Sequence, residues 1–570
     1  MSAGGHLLEV QDLAVEFATA AGPVHAVAGI SFHLDGGEVL AILGESGSGK
    51  SVSAAAIMDL IDRPPGHVSA GRVLYRGRDL LTMPAAERRR INGRRIAMIF
   101  QDPLAHLNPV YSVGWQIAET FRAHGAASKG AARAKAVELL ERVGIAEPAR
   151  RARDYPHQFS GGQRQRVMIA IALALRPDLL IADEPTTALD VTVQAQILAL
   201  LKELQAEAGM GLILITHDLG VVAETADRVA VMHDGRIVET GPVRQIFHAP
   251  AHPYTRRLMA ALPGRAAPAG STSGVASAGA APAEPPLLSV RDLAKHYEIT
   301  LGMMRRRTGR TVRAVDRVSF DLAAGETLGL VGESGSGKST LARTLLRLEE
   351  PSGGSACYRG RDLFTLSPSA LLEVRRRIQI VFQDPYASLN PRMTVAQIIA
   401  EPWSIHRDLL PKSRWRDRVG QLLEQVGMAP EHARRYPHQF SGGQRQRVAI
   451  ARALALQPEV IVCDEAVSAL DVSIQAQVIA LLAELQSAFG LAYLFIAHDL
   501  AVVRHFADRV LVMYRGQIVE HGPTEQIFEC PQHPYTRALL AATPVPDPDA
   551  RPGPGRVRAG GAALSAARSR

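Results

Sequence analysis

The sequence GESGSGKS occupies residues 44–51, and the same eight residues recur at 332–339. The first copy follows the apolar stretch EVLAIL at residues 38–43, and helical sequence follows each copy. The pattern Gly-x-x-x-x-Gly-Lys-Ser between a strand and a helix builds a loop whose backbone N–H groups surround nucleotide phosphates. Its glycines permit backbone conformations that a Cβ atom would block. Two copies predict two ATP sites in one polypeptide.

Continuous apolar runs alternate with helical stretches in each half of the chain. In the first half, DLLIAD at residues 178–183 and GLILIT at 211–216 have the length and composition of buried strands. Apolar strands that alternate with helices indicate a parallel sheet with helices packed against it. The predicted fold class is α/β.

An internal repeat organises the chain. The block YPHQFSGGQRQRV occurs at residues 155–167 and again at 436–448, an offset of 281 residues. The same offset relates Asp183 to Asp464 and His217 to His498. A repeat of this kind predicts two related domains. We expect them at residues 1–263 and 287–547.

Three segments outside the repeat pattern are predicted to be irregular. Residues 264–286 are rich in Ala, Pro, Gly and Ser, which predicts a flexible linker spanning about 25–30 Å on average. The insertion EITLGMMRRRTGRTVR at residues 298–313 is predicted to be a surface loop. The basic tail at residues 548–570 is expected to be disordered.

Composition excludes several classes of protein. No apolar run reaches the roughly 18 residues that cross a bilayer, and the first residues lack a signal peptide, so we expect a cytoplasmic location. The three cysteines lie far apart and form no metal or disulfide pattern. The net charge of +8 comes largely from arginine without interleaved aromatic residues, so no nucleic-acid partner is expected.

Acidic pairs end one predicted strand in each half, as Asp183-Glu184 and Asp464-Glu465. Side chains at the carboxyl ends of parallel strands project into the crevice where ligands bind. The aspartate is placed to hold Mg²⁺, and the glutamate is placed to polarise the attacking water.

A glutamine and a histidine accompany each acidic pair. Gln101 and Gln383 lie in IFQDP and VFQDP, and the amide of glutamine can contact Mg²⁺ or the water through a donor or an acceptor. His217 and His498 follow predicted strands, where an imidazole can donate to the γ-phosphate and support the glutamate.

The motif Ser-Gly-Gly-Gln opens a predicted helix in each half, at residues 160–163 and 441–444. Exposed N–H groups at a positive helix end suit an anion. Because each half already has its own phosphate loop, we expect each motif to face the nucleotide of the other half.

These motifs together resemble the Walker A, Q-loop, signature, Walker B, D-loop (Ala-Leu-Asp from Ala188) and H-loop of ABC ATPases, and the full set recurs in the second half. The resemblance implies two P-loop NTPase domains in tandem, each with a mixed or parallel sheet core and a helical subdomain. It also implies an intramolecular head-to-tail dimer of the two halves.

The resemblance assigns roles to individual residues. The catalytic residues would be Glu184, Glu465, His217, His498, Gln101 and Gln383. The ATP contacts would be Gly44, Ser46, Gly47, Gly49, Lys50, Ser51, Gly332, Ser334, Gly335, Gly337, Lys338, Ser339, Thr340, Ser160, Gly161, Gly162, Gln163, Ser441, Gly442, Gly443, Gln444 and the adenine-stacking aromatics Phe17 and Tyr297. The Mg²⁺ ligands would be Ser51, Gln101, Asp183, Ser339, Gln383 and Asp464.

A further shared segment, His-Pro-Tyr-Thr at residues 252–255 and 533–536, resembles the C-terminal region of ATPases that drive peptide importers. Two such halves in one chain are most similar to the bacterial glutathione and dipeptide import ATP-binding proteins. The resemblance implies an ATPase peripheral to the cytoplasmic face of the inner membrane, with two integral-membrane permease subunits and, indirectly, a periplasmic solute-binding protein.

Two departures from the family pattern matter. Many peptide-importer ATPases carry a cysteine-rich extension for an iron–sulfur cluster, whereas Pro263 leads directly into the linker, so no cluster is expected. Ala466 replaces the proline found at Pro185 in the first half. Because Glu465 and His498 are retained, both sites are expected to hydrolyse ATP.

Two other classes stay open as alternatives. One is a tandem ABC ATPase that acts in translation or on DNA, although the linker is short and zinc cysteines are missing. The other is an exporter ATPase, against which the His-Pro-Tyr-Thr segments argue. The transported solute cannot be read from this chain, and glutathione, dipeptides, longer peptides, peptide antibiotics and nickel complexes all remain candidates.

Overall fold

The computed structural model describes residues 5–19, 22–187, 189–262, 285–301, 306–467 and 470–550. The chain divides into two compact units. The first unit contains the described residues up to Leu262 together with those from Ala542 onward, and the second contains the described residues between them.

The first unit has two sheets and a group of helices. Its strands are β1 (Leu8–Thr19), β2 (Gly22–Leu34), β3 (Val39–Leu43), β4 (Gly66–Tyr75), β5 (Arg78–Asp79), β6 (Ile96–Ile99), β7 (Leu179–Asp183), β8 (Gly211–Thr216), β9 (Arg228–His233) and β10 (Arg236–Pro242). Its helices are α1 (Lys50–Met58), α2 (Ala85–Ile91), α3 (Pro103–His106), α4 (Val113–Ala123), α5 (Lys129–Arg142), α6 (Pro148–Arg151), α7 (Gly161–Leu173), α8 (Val191–Ala208), α9 (Leu219–Thr225), α10 (Val243–His248) and α11 (Pro253–Ala260), with a 3-10 turn at Pro156–Gln158.

The larger sheet has the strand order β10-β9-β3-β8-β7-β6. All neighbours from β9 to β6 pair in parallel, and only β10 is antiparallel. Every residue of β3, β7 and β8 is buried, which explains why these strands are apolar apart from Asp183 and Thr216 at the ends of β7 and β8. The carboxyl ends of β3, β6, β7 and β8 therefore share one edge of the sheet.

Two further layers surround this sheet. The smaller antiparallel sheet has the order β2-β1-β4-β5, and its buried side chains share a core with β3 and α1. Helices α4, α5 and α7 form a helical subdomain around fully buried side chains such as Ile117, Leu140 and Val167. This arrangement confirms the predicted sheet core with a helical subdomain.

The second unit repeats the same plan. Its strands are β11 (Leu288–Leu301), β12 (Arg306–Leu322), β13 (Thr327–Val331), β14 (Gly353–Tyr358), β15 (Arg361–Asp362), β16 (Ile378–Val381), β17 (Val460–Asp464), β18 (Ala492–Ile496), β19 (Arg509–Tyr514) and β20 (Gln517–Pro523). Its helices are α12 (Lys338–Leu345), α13 (Pro368–Arg377), α14 (Pro385–Ser388), α15 (Val395–Ile405), α16 (Trp415–Gln425), α17 (Gly442–Leu454), α18 (Val472–Phe489), α19 (Leu500–Phe506), α20 (Thr524–Glu529) and α21 (Pro534–Ala542), with 3-10 turns at Lys412–Arg414, Pro430–Arg434 and Pro437–Gln439. The sheet orders are β12-β11-β14-β15 and β16-β17-β18-β13-β19-β20.

The insertion at residues 298–313 differs from its prediction. Instead of a surface loop, β11 continues to Leu301 and β12 begins at Arg306, with Thr300 paired to Arg307. Antiparallel pairing satisfies the backbone N–H and C=O groups of both strands, so the insertion lengthens a hairpin. Residues 302–305 and the predicted linker up to residue 284 lie outside the described residues.

The segment after α21 is ordered as far as Ala550, beyond the predicted start of the tail. Pro548–Ala550 form a 3-10 turn, and the Asp549 carboxylate lies 3.0 Å from both Arg244 and His248 of the first unit. The backbone N–H of Val545 also donates to Glu224 at 3.3 Å. The sequence of this segment has little apolar pattern, which is why only its tertiary contacts reveal the order. The rest of the tail lies outside the described residues.

Among the described residues, helix α18 alone has the length and composition of a membrane span. Its 18 residues have a mean hydropathy of 1.3, although Glu484 and three glutamines interrupt its apolar runs. Leu481, Leu482 and Leu485 pack into the core of the second unit. As a single helix by these criteria, it is weak evidence for membrane insertion.

Candidate active site

The phosphate loop of each unit bridges a buried strand and a helix. In the first unit, the ammonium group of Lys50 donates to the carbonyls of Gly44 and Glu45 at 2.8 and 2.7 Å. In the second unit, Lys338 donates to the equivalent carbonyls of the loop at 2.8 and 3.0 Å. Both lysines are buried, so each loop holds a positive charge that the phosphates of a nucleotide can neutralise.

Two glycines of the first loop are required by close backbone contacts. A Cβ atom at Gly44 would lie 2.2 Å from the carbonyl oxygen of Met232. A Cβ atom at Gly49 would lie 2.3 Å from the carbonyl oxygen of Ala26, and Gly49 also has a φ of +99°. Gly47 has a φ of +80°, but its Cβ would meet nothing within 4 Å.

A hydroxyl and a carboxylate meet beside each loop. Ser51 donates to Asp183 at 2.9 Å, and Ser339 donates to Asp464 at 2.8 Å. Burial raises the pKa of Asp183 to about 6 and also raises the pKa of Asp464, because a buried carboxylate loses its hydration. Hydroxyl and carboxylate oxygens are the ligands that Mg²⁺ prefers, so this donor set fits that cation.

Three side chains converge on Glu184 in the first unit. Gln101 donates to its carboxylate at 2.7 Å, Thr187 donates at 2.9 Å, and Nδ1 of His217 lies at 3.1 Å. Burial opposes ionisation, but the hydrogen bonds from His217 and Thr187 and the charge of Lys50 keep the pKa of this carboxyl below its ordinary value. Glu184 is therefore held as a carboxylate, the form that accepts a proton.

The second unit assembles the same group with different distances. Gln383 donates to Glu465 at 2.6 Å, whereas Nδ1 of His498 lies 3.9 Å from that carboxylate and Lys338 lies 3.9 Å from it. Glu184 and Glu465 have φ values of 45° and 48°, in the left-handed region that is rare outside glycine. Such strain is held in place at functional sites by the surrounding contacts.

Thr187 is a site residue that the sequence analysis missed. Its signal was its position three residues after Glu184, at the end of the same turn, since the N–H of Thr187 donates to the carbonyl of Glu184. Its repeat counterpart is Ser468, which lies outside the described residues.

Each Ser-Gly-Gly-Gln motif opens its helix with a reciprocal cap. The Ser160 hydroxyl accepts from the N–H of Gln163 at 3.4 Å, while the Gln163 side chain accepts from the N–H of Ser160 at 3.2 Å. Ser441 and Gln444 of α17 make the same pair. A Cβ at Gly162 would lie 2.3 Å from Val193, so this glycine lets α7 and α8 approach closely.

The two predicted adenine-stacking aromatics have different surroundings. Phe17 in β1 lies opposite Gly66 in β4. A Cβ atom added at Gly66 would lie 2.7 Å from the Phe17 ring. The Tyr297 ring is 39% exposed, its hydroxyl hydrogen-bonds to Glu349, and Nζ of Lys295 lies 5.0 Å from the ring centroid.

Substituting Gly47 and Gly49 should distinguish the effect of a steric clash on nucleotide binding from the effect of backbone strain. In chains whose second loop carries Lys338→Ala, Gly47→Ala should weaken nucleotide binding by about 1–2 kcal/mol, the cost of a left-handed alanine. Gly49→Ala should cost about 1–3 kcal/mol more because its Cβ meets the Ala26 carbonyl. Titration with a fluorescent ATP analogue checks this order, and equal losses for the two variants would contradict the clash.

The buried carboxyl of Asp183 should make stability depend on pH. Because its pKa in the folded protein exceeds the ordinary value, folding becomes less favourable as pH rises from about 4 to about 6 and stays so above that. In EDTA without nucleotide, Asp183→Asn should therefore melt at a higher temperature than the parent at neutral pH, with the gap narrowing from about pH 6 and closing below about pH 4. The exposed Asp234→Asn is the control, and a pH-independent gap for Asp183→Asn would contradict the assignment.

Removing the hydroxyl of Thr187 should slow the first site. In chains carrying Glu465→Gln, Thr187→Val should lower ATP turnover about fivefold, the worth of one hydrogen bond that orients Glu184. Thr187→Ser keeps the hydroxyl and should retain turnover. Steady-state phosphate release measures both, and equal rates for valine and serine would exclude this role.

Comparisons with known proteins place the chain in a family. The sequence profile described as "ABC transporter" matches residues 27–187 and 315–468, and the profile "Oligopeptide/dipeptide transporter, C-terminal region" matches 238–286 and 519–566. Proteins of Escherichia coli (strain K12) and Shigella flexneri, each named "Glutathione import ATP-binding protein GsiA", are 54% identical over 575 and 574 residues, covering 97% of this chain and 92% of each relative.

Solved structures of single cassettes also align with part of the chain. A dimeric ATP-binding cassette in a post-hydrolysis state with ADP and Pi is 29% identical over 42% of this chain and 99% of that one, with a TM-score of 0.38. The cbiO1 cassette of Clostridium perfringens is 27% identical over 43% and 91%, with a TM-score of 0.37. The two matching sequence profiles and the full-length relatives confirm the resemblance seen in the motifs. The chain therefore belongs to the ABC transporter family, as an ATP-hydrolysing protein with two cassettes in tandem.

Proposed function

We propose that this chain is the ATPase subunit that energises a bacterial inner-membrane importer of peptides, either di- or oligopeptides or glutathione. The observation that carries the proposal is the peptide-transporter C-terminal profile, which matches once in each half. The names of the full-length relatives, which describe glutathione import, support the same class of solute. The ATP-binding domains correspond to residues 1–263 and 287–547, joined by a linker at 264–286.

The residues of each unit divide the work of hydrolysis. The phosphate loop and Lys50 bind and orient the triphosphate, while Ser51, Asp183 and Gln101 would hold Mg²⁺. When bound, Mg²⁺ neutralises charge that develops on the phosphate oxygens. The Glu184 carboxylate orients the attacking water and accepts its proton.

His217 orients the carboxylate of Glu184. Because the Glu184 carboxylate can only accept, the Nδ1 of His217 carries the proton in the 3.1 Å contact. The other ring nitrogen is then directed away from Glu184. Glu465 and His498 take the same roles in the second unit, which also hydrolyses ATP.

Each active site is completed by the signature motif of the other half. The nucleotide at Lys50 meets residues 441–444, and the nucleotide at Lys338 meets residues 160–163. The support is the cap at each motif, which presents the N–H groups of a 13-residue helix at its positive end. ATP then favours the closed pair because it binds that state more tightly, and phosphate release reopens it.

The partners follow from this role. Two permease subunits receive the motion near Gln101 and Gln383, and a periplasmic binding protein delivers the solute to them. The chain itself is peripheral to the cytoplasmic face of the membrane. Solute choice rests with the permeases and the binding protein.

Replacing both catalytic glutamates should trap the closed state. The double variant Glu184→Gln with Glu465→Gln should release phosphate at least about 100-fold more slowly, because an amide cannot accept the proton, while still retaining bound ATP. Glu203→Gln with Glu484→Gln is the matched control, since these exposed helix residues are related by the same repeat. Normal phosphate release from the first pair would refute the catalytic assignment.

Uptake measurements test the importer itself. Cells lacking other glutathione and peptide importers would express the chain with the permease and binding-protein genes adjacent to its own gene. Labelled glutathione or a labelled dipeptide should accumulate with the parent chain and not with the double glutamine variant. An intact ATPase that supports uptake of neither solute would count against peptide import.

A further inference from the structure

The His-Pro-Tyr-Thr segments have no part in the hydrolytic chemistry described above, yet both are firmly anchored. In the second unit, the N–H groups of Gln532 and His533 donate to the carboxylate of Glu520 in β20 at 2.6 and 3.0 Å. The Nδ1 of His533 accepts from the N–H of Tyr535 at 3.2 Å and caps α21. These bonds fix the start of α21 against the β19–β20 hairpin.

The anchored segment directs Tyr535 at the phosphate loop. The backbone N–H of Glu333, the second residue of the loop, donates to the Tyr535 hydroxyl at 3.0 Å. The carbonyl of Glu333 accepts from Lys338 at 3.0 Å. Tyr535 is only 4% exposed, and its ring packs on Tyr514 at 4.2 Å between centroids. Glu333 is thus held at its N–H by Tyr535 and at its carbonyl by Lys338, the lysine of the phosphate loop.

The hairpin that carries Tyr514 also supports the loop directly. The N–H of Gly516 donates to the carbonyl of Ser336 at 2.8 Å. The carbonyl oxygen of Met513 would lie 2.2 Å from a Cβ at Gly332, so hairpin and loop are in close contact. Tyr535 therefore belongs to a continuous support behind the loop.

The first unit has the same framework. The N–H groups of Ala251 and His252 donate to Glu239 in β10 at 2.7 and 3.0 Å. Tyr254 is 5% exposed and stacks on His233, the last residue of β9, at 3.9 Å. Its position relative to the hairpin matches that of Tyr535.

We propose that the His-Pro-Tyr-Thr segment of the second unit braces its phosphate loop from behind, with Tyr535 as a positioning residue for nucleotide binding. The hydroxyl keeps the peptide of Glu333 in the orientation that also receives Lys338. The proposal rests on the assignment of the phosphate loops to nucleotide and adds a role for a segment outside the catalytic motifs.

The brace should act on affinity rather than on chemistry. Tyr535→Phe keeps the ring on Tyr514 but leaves the Glu333 N–H without its partner, so the loop samples other conformations. When the binding-competent fraction falls, the apparent Kd rises by the same factor. One hydrogen bond corresponds to about a fivefold change. The catalytic rate at saturating ATP should change much less.

The experiment uses the full chain with Lys50→Ala, so that only the second loop binds nucleotide. Kd and KM for ATP, together with kcat, are measured for this parent and for its Tyr535→Phe derivative. Tyr493→Phe is the matched control, because Tyr493 is fully buried in the same unit and its hydroxyl donates to the Leu482 carbonyl at 2.9 Å. Amide hydrogen exchange over residues 329–337 is followed without nucleotide.

A selective rise in Kd and KM with faster exchange in the loop supports the brace, provided that Tyr493→Phe shows neither change. Unchanged affinity and exchange in Tyr535→Phe would overturn it, as would faster exchange spread evenly over the unit. If the parent itself binds no ATP, the loop assignment fails, while loop exchange still decides whether Tyr535 holds Glu333.

Discussion

Each unit depends on a parallel sheet whose buried strands end at one edge. Backbone hydrogen bonds between fully buried strands fix the spacing of their ends, so the residues that follow cannot drift apart. Lys50 follows β3, Glu184 follows β7 and His217 follows β8, and Gln101 comes after β6. The sheet thus brings a lysine, a carboxylate, an amide and an imidazole to one edge, although they are far apart in sequence.

Burial and hydrogen bonding at this edge shift the pKa values of the two acidic residues. Asp183 and Glu184 are adjacent, yet their pKa values move in opposite directions. Desolvation dominates at Asp183, whose partner is the hydroxyl of Ser51. At Glu184, hydrogen bonds from His217 and Thr187 outweigh desolvation. Two adjacent carboxyls therefore differ in how readily they ionise, because one is mainly desolvated and the other accepts several hydrogen bonds.

The two units share this plan but not all of its contacts. His217 lies 3.1 Å from Glu184, whereas His498 lies 3.9 Å from Glu465, and Lys338 approaches Glu465 at 3.9 Å. The glutamate of the second unit thus has its lysine and its histidine at equal distances, whereas Glu184 has its histidine within hydrogen-bonding range. A duplicated sequence can in this way present two related but unequal electrostatic environments.

The sequence by itself determined the motifs, the duplication and the buried strands, because each is a pattern of neighbouring residues. A phosphate loop is recognised by its glycines and its lysine, and a buried strand by an unbroken apolar run. It placed β3, β7, β8 and both acidic pairs where the structure has them. Thr187 was missed although its partner Glu184 is only three residues away, because the turn geometry decides whether the two side chains meet. The brace by Tyr535 was missed because Tyr535 and Glu333 are 202 residues apart and meet only in the folded unit. The hairpin at residues 298–313 and the ordered turn at Pro548–Ala550 were also missed. Their order comes from strand pairing and from ion pairs with the first unit, which no local pattern encodes.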